Sequence, residues 1–377
     1  MKKYLLTIWS QNPEYYFLIE NKINFLLKKK SEIIMVCRNN DNKKKLLIKK
    51  NNYSEKNIYY SKNNFLNKFY FFYYLFFLIF ITLAIKPDVI IVYNNYPILF
   101  VKIVRLFFKK KIIYHNFDYD PNPKSIFARF INFVEKKSIH LFDLVVFSSE
   151  ERIKFFKKIN KIKNFPTIAL FNVLSIKHYK HFLNLKKKRN KKIIKVFRIG
   201  SIGPGHGLLP LINSFKFLPQ NYKLTLCGKI MDNNFYSKLK KIIEKKNISK
   251  KIKIITSAKR SRWEWELSNS DIGVALYENV SYSHKYMAGG ASQKVNSYLA
   301  AQLPIIAYKD KQFSEFHKKY KCCILIENKN PKKIANTIHR EIQNTTNFNK
   351  LKKNSFLAFK NTYNFENEIN KIKKYLL

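Results

Sequence analysis

Short apolar runs alternate with longer segments of helical period along nearly the whole chain. In the first half, Tyr4–Trp9, Ile33–Cys37, Val89–Tyr93, Ile112–Tyr114 and Leu144–Phe147 have the length and content of buried parallel strands. Segments between them, such as Pro13–Lys29 and Lys124–His140, space their apolar residues as helices do. A basic polar stretch, Leu183–Lys192 (LNLKKKRNKK), interrupts this pattern. The alternation then restarts, with strands expected at Ile193–Ile199, Tyr222–Cys227, Ile252–Thr256, Ile272–Leu276, Ile305–Ala307 and Cys323–Ile326. Helices are expected at Leu208–Leu218, Phe235–Lys246, Ser292–Ala301, Pro331–Gln343 and Phe365–Leu377.

Strands separated by helices of this length imply βαβ units and doubly wound parallel sheets. The 377 residues exceed what one core comfortably holds, so two domains follow. The expected fold is therefore α/β, with two Rossmann-like lobes facing each other across a cleft. Residues 1–182 form the first lobe, 183–192 the linker and 193–350 the second lobe. Residues 351–377 form a helical segment that crosses back to the first lobe.

One segment breaks the rhythm. Phe69–Ile85 (FYFFYYLFFLIFITLAI) is 17 residues without a charge, flanked by Lys68 and Lys86. As a helix it is ~25 Å long at ~1.5 Å per residue, short for a hydrocarbon core of ~30 Å. A full crossing would also split the first lobe between successive strands. Two readings remain open: a helix buried on the sheet, and a helix lying in the bilayer interface, as its Tyr content and terminal lysines suit.

Composition changes the picture in two ways. The chain has 73 Lys and Arg against 24 Asp and Glu, a net charge of +49. That balance attracts anionic membrane surfaces and polyanions, more weakly as salt rises. The basic residues are spread over both lobes and no nucleic-acid motif occurs, so no specific nucleic acid is expected. Abundant Lys, Asn, Ile, Phe and Tyr with scarce Gly and Ala also match a coding bias toward A and T. The four cysteines show no zinc or disulfide spacing, and the short apolar start is no signal segment. A cytoplasmic setting is expected, peripheral at the inner face of the plasma membrane.

Glycine is scarce, and this makes its placement informative. All eight glycines follow residue 199, and Gly200, Gly203, Gly205 and Gly207 fall within eight residues. They form a loop, Gly200–Gly207, between an expected strand and an expected helix. Loop N–H groups and a helix N-terminus present partial positive charge to an anion. A tight turn without a ligand would use the same residues. A second loop holds Tyr282, His284, Lys285, Tyr286, Gly289 and Gly290, then Ser292 as a helix N-cap with Gln293 and Lys294 in the first turn. Two such junctions in one lobe suit a diphosphate.

The ordered set of motifs resembles the retaining GT-B glycosyltransferases of family 4, of the bacterial surface-polysaccharide type. Their pattern is G-x-L-x-x-x-[KR]-G, then a long helix and L-P-x-x-x-L-x-L-x-G, then A-D-[IV]-G-L-x-L and N-K-x-x-E-Y-L-A-x-G-x-P-V-I. This chain has Gly200-Ser201-Ile202-Gly203-Pro204-Gly205-His206-Gly207, then Leu218-Pro219 through Gly228. Ser270-Asp271-Ile272-Gly273 and Gln293-Lys294-Val295-Asn296-Ser297-Tyr298-Leu299-Ala300-Ala301-Gln302-Leu303-Pro304 follow. In the first lobe, Lys86-Pro87-Asp88-Val89-Ile90, Ile112–Asp120, Asp143–Ser149 and Phe171-Asn172-Val173 resemble the family more loosely.

The resemblance implies transfer of a sugar, with retention and without a metal, from a nucleotide-diphosphate sugar that is a co-substrate and not a cofactor. The implied acceptor is a glycan or lipid-linked molecule of surface-polysaccharide synthesis. Gly203, Gly205, His206, Gly207, Ser292, Gln293 and Lys294 would hold the donor, with Lys229, Arg260 and Glu278 as further contacts. His206 stands where the family carries a basic residue, and Ser297 where it carries a ribose-binding Glu. The earlier acid of that pair falls at Gly289. Arg198 could restore the missing charge, depending on which way its side chain leaves the strand. His115 and Asp118 are the acid–base candidates for the acceptor hydroxyl. Asp118-Tyr119-Asp120 has the spacing of a metal pair, but no metal is expected. The alternative to an enzyme is a GT-B protein that has lost catalysis and binds a nucleotide, glycan or polyanion.

Overall fold

The computed structural model describes the chain except residues 11, 12, 14, 15, 40–47, 49, 60–63, 188–191, 257, 258, 279–286 and 289. Tyr282, His284, Lys285, Tyr286, Gly289 and the middle of the basic stretch therefore lie outside the described residues. The chain divides into two compact units: Met1–Asn172 with Glu368–Leu377, and Val173–Asn367. That division falls before the basic stretch, because the helix Ile176–Leu185 packs on the helices Arg260–Ser268 and Gln293–Ala300 of the second unit.

The first unit holds seven parallel strands: β1 (Lys3–Ile8), β2 (Glu32–Asn39), β3 (Tyr53–Tyr59), β4 (Val89–Tyr93), β5 (Lys111–Asn116), β6 (Leu144–Phe147) and β7 (Thr167–Ala169), in the order β3-β2-β1-β4-β5-β6-β7. The second holds β8 (Ile194–Ile199), β9 (Tyr222–Cys227), β10 (Ile252–Ile255), β11 (Ile272–Val274), β12 (Ile305–Tyr308) and β13 (Cys323–Ile326), in the order β10-β9-β8-β11-β12-β13. Each strand order reverses beside its first strand, between β1 and β4 and between β8 and β11. Ligands of such sheets bind beyond the carboxyl ends of the strands at that reversal.

The central strands are the expected ones. Two edge strands were not expected, β3 and β7. β3 reads YSEKNIY and is largely half-exposed, so it carries no apolar run, and β7 is three residues long. The helix expected over Leu208–Leu218 stops at Ser214. The C-terminal segment forms two helices, Thr345–Asn361 and Phe365–Leu376. The last one ends in the first unit, as expected: the Tyr4 hydroxyl donates to the Leu376 carbonyl at 2.6 Å, and the Phe171 N–H donates to Glu368 at 2.8 Å.

Three aspartates of the family-like motifs share one structural task. Asp88, Asp143 and Asp271 each precede a strand and accept from the N–H of a residue at the start of the neighbouring strand: Lys3 at 2.8 Å, Ile112 at 2.7 Å and Lys195 at 2.9 Å. Each aspartate N–H in turn donates to the carbonyl of that same residue, at 2.9, 3.0 and 2.8 Å respectively. The first N–H of a parallel strand has no strand partner, and the carboxylate supplies one. These residues set strand register.

Candidate functional site

The glycine loop of the second unit leaves β8 at Gly200, beside the point where strand order reverses. Its backbone is held from two sides. Ile202 N–H donates to the Lys229 carbonyl at 2.8 Å, and Glu278 N–H donates to the Gly205 carbonyl at 2.9 Å. Close packing, as much as positive φ, explains the glycines. A Cβ on Gly228 would lie 1.9 Å from the Gly200 carbonyl oxygen. Gly207 has φ of 60° at the N-cap of the helix Leu208–Ser214, and its Cβ would lie 2.7 Å from that of Leu276.

Two cations converge at this loop. Arg198, near the end of β8, is almost fully buried, and its Nη1 donates to the Gly200 carbonyl. Its Nη2 is buried without a hydrogen-bond partner among the described residues. Lys294, in the first turn of the helix Gln293–Ala300, lies against Gly200: a Cβ there would sit 3.1 Å from Lys294 Cε and 3.4 Å from Nζ. Neither cation meets a carboxylate among the described residues. Loss of solvation, and then the Arg198 charge, push the Lys294 ammonium well below the ordinary 10.5. Burial also lowers the Arg198 pKa from its ordinary value. Lys294 is partly exposed and the buried Arg198 lies behind the loop, so the two positive groups, which meet no carboxylate among the described residues, favour an anion at Lys294.

Tyr277 joins the two junctions. Its hydroxyl meets Ser292 Oγ at 2.7 Å, Lys294 Nζ lies 4.6 Å from its ring centre, and the His206 ring lies 6.3 Å away. Ser292 is the N-cap as expected, accepting from Val295 N–H at 3.3 Å. Tyr298 ties the sheet beneath: its hydroxyl donates to the Val274 carbonyl at 3.0 Å and accepts from Ile199 N–H at 3.1 Å. The Tyr308 hydroxyl, 3.1 Å from where a Gly207 Cβ would stand, is buried with no partner among the described residues. Tyr277 and Tyr308 escaped the sequence reading. Each ends an apolar run, and neither lies in a motif that marks a ligand.

The other candidates separate. Gly203, Gly205, His206 and Gly207 lie in the loop, and Gln293 lies beside Lys294. The Glu278 carboxylate is held by Lys329 at 2.8 Å, next to the loop. The Lys229 side chain is exposed beyond β9. The Ser297 hydroxyl donates back to the Gln293 carbonyl at 2.8 Å inside its helix. Arg260 is committed elsewhere: its Nε donates to Glu264 at 2.8 Å, and its Nη2 lies 2.8 Å from His178 Nε2. An ion pair within its own helix thus holds one edge of the guanidinium, which stays partly exposed.

In the first unit, His115 is fully buried beside Phe117 and Tyr93, with ring centres 4.2 and 5.8 Å away. Its Nδ1 lies 2.8 Å from the buried Lys22 ammonium. Burial and then the Lys22 charge push His115 well below 6.5, and burial pushes Lys22 down to about 7. A sealed imidazole cannot touch an acceptor, so His115 is a core residue and its catalytic assignment is corrected. Asp118 keeps an exposed carboxylate, 3.2 Å from Arg152 Nη1.

Residues 180–357 match the family described as "Glycosyl transferases group 1". Compared by sequence with curated proteins, the chain has no match. Its fold is similar to that of sucrose-phosphate synthase from Thermosynechococcus elongatus, at 12% identity and a TM-score of 0.75, covering 100% of this chain and 98% of that one. Anabaena Alr3699/HepE in complex with UDP matches at 13% identity and a TM-score of 0.71, covering 100% and 99%. WaaG, a glycosyltransferase involved in lipopolysaccharide biosynthesis, matches at 10% identity and a TM-score of 0.69, covering 99% of each. The two Rossmann-like units are those of a GT-B fold.

Proposed function

We propose that this chain is a glycosyltransferase that takes a sugar from a nucleotide-diphosphate sugar held by its second unit. One observation carries the reading: the buried Arg198 and the partly exposed Lys294, with no carboxylate partner among the described residues, converge on the glycine loop where strand order reverses. In the reaction, the bond from the anomeric carbon to the diphosphate oxygen breaks and its electron pair stays on the diphosphate. The acceptor hydroxyl oxygen bonds that carbon and gives up its proton. Positive groups fixed where charge develops lower the barrier to such a step. In this reading Lys294 and the amides following Gly207 and Ser292 receive that charge, and the buried Arg198 adds its field from behind the loop.

Glu278 is proposed to meet the donor sugar, and Asp118 is the remaining candidate to take the acceptor proton. Retention follows from the motif resemblance. A lipid-linked or surface-polysaccharide acceptor on the cytoplasmic side follows from the same resemblance; WaaG, which shares the fold, is involved in lipopolysaccharide biosynthesis. A second reading has its own observation. Ser297 stands where the resembled family carries a ribose-binding Glu, and its hydroxyl closes back on its helix. A GT-B protein that binds a nucleotide without catalysis would tolerate that loss.

Calorimetric titration with UDP, GDP and their sugars, followed by assay of nucleotide release from the sugar that binds, tests both. Binding with release supports the transferase, and binding without release supports the second reading. No binding of any nucleotide rejects both.

A further inference from the structure

We propose that three helices on one face of the first sheet form a surface that sinks into an anionic lipid leaflet. The proposal rests on the first unit alone and stands whether or not the second unit binds a nucleotide.

The helices are Asn64–Ile85, Ile98–Phe107 and Ile126–Ser138. They connect β3 to β4, β4 to β5 and β5 to β6, all stepping the same way across the sheet. Right-handed crossovers place such helices on one face. The first packs on the second and the second on the third, and Phe71 of the first lies 5.4 Å from Phe127 of the third.

Their outward surface is apolar. Among the described residues, 22 large apolar side chains are exposed, and 13 of them lie on these three helices. The concentration rules out ordinary scatter of single exposed residues. Phe69 and Phe76 are each 71% exposed, Phe80 65%, Leu106 79%, Phe107 74% and Ile126 80%.

Charge selects the occupant. Exposed Lys68, Lys86, Lys102, Lys109, Lys124, Arg129, Lys136 and Lys137 lie on or beside the three helices. The only acid within them is Glu135, which is fully buried. Beside the helices the exposed acids Asp88 and Asp143 are committed, to Lys3 N–H and to Arg105 respectively, so an aromatic surface framed mostly by cations matches the interfacial zone of a leaflet with anionic headgroups.

The long helix lies in the leaflet and does not cross it. It has the length and apolar content of a membrane span. However, it joins β3 to β4, two parallel strands of one sheet, so both of its ends are on the same side. Its inner stripe is also taken: Phe71, Tyr74, Leu75 and Leu78 are buried in the core, and Tyr74 is hydrogen-bonded to Thr7.

The test is flotation of the full chain with vesicles of phosphatidylcholine alone and of phosphatidylcholine with phosphatidylglycerol. The chain is expected to float with the anionic vesicles. High salt, which cuts the Debye length from about 10 to about 3 Å, should weaken that binding and leave the aromatic part. The triple variant Phe76→Ser, Phe80→Ser, Leu106→Ser should bind about tenfold or more weakly. Its melting temperature and its UDP titration should match the parent, which separates this proposal from the donor reading. No flotation with anionic vesicles, or flotation of the triple variant equal to the parent, overturns the proposal. So does a dimer in sedimentation equilibrium that the triple variant abolishes, because a second copy would then cover the face.

Discussion

The Lys294 ammonium lies 4.6 Å from the centre of the Tyr277 ring, and the Tyr277 hydroxyl reaches Ser292 Oγ at 2.7 Å. One side chain thus supports the cation from below and holds the cap of the helix that carries it. The ring face attracts the ammonium but supplies no proton acceptor. Lys294 is positioned without being neutralised.

Lys294→Met should lower affinity for UDP about 10- to 100-fold, the worth of a charge-assisted hydrogen bond, as read by calorimetry. The same variant should raise the stability of the free protein, because it removes a desolvated cation with no counter-charge. The folded pKa is below the ordinary 10.5, so the unfolded chain takes up the proton first as pH falls. The stability gain should therefore be largest at low pH and vanish above about 10.5, in melts across a pH series.

Gly228→Ala should displace the glycine loop. The new Cβ would stand 1.9 Å from the Gly200 carbonyl oxygen, which is backbone and cannot swing aside. The expected cost is about 1–3 kcal/mol or more in denaturant melts, with UDP affinity falling as well. An unchanged affinity would mean that the loop position is irrelevant to the ligand.

Asp271→Ala should lose about 1–3 kcal/mol of stability, because Lys195 N–H at the start of β8 loses its acceptor. Asp271→Asn keeps a carbonyl oxygen there and should recover part of the loss. Neither variant should alter the KM for the donor, since Asp271 lies at the opposite end of the strand from the glycine loop.

Lys22 offers a second pH signature, in the other unit. Its folded pKa of about 7 lies below the ordinary 10.5. Its contribution therefore makes the protein more stable as pH rises from about 7 toward 10.5. In chemical melts, the stability of Lys22→Met relative to the parent should be highest near pH 6 and fall as pH rises. A difference independent of pH would mean that Lys22 titrates normally.

Much of the architecture was legible because it rests on local pattern. Unbroken apolar runs mark strands covered on both faces, so every central strand of both sheets was visible, and the scarcity of glycine drew attention to the loop after β8. The edge strands β3 and β7 were not visible, since a strand half open to solvent need not be apolar. The motif aspartates 88, 143 and 271 could be quoted from the sequence, but their bonds to Lys3, Ile112 and Lys195 link strands far apart in the chain.

By itself, the sequence determined the alternation of strand and helix, the two-unit α/β fold and the residues of the glycine loop. Each follows from neighbours along the chain. Only the tertiary structure decided what the ionisable groups do. It turned Arg198 toward the loop beside Lys294, closed His115 into a core with Lys22, and tied Arg260 to Glu264. A side chain's charge, solvation and reach depend on what covers it, and the covering residues come from distant parts of the chain.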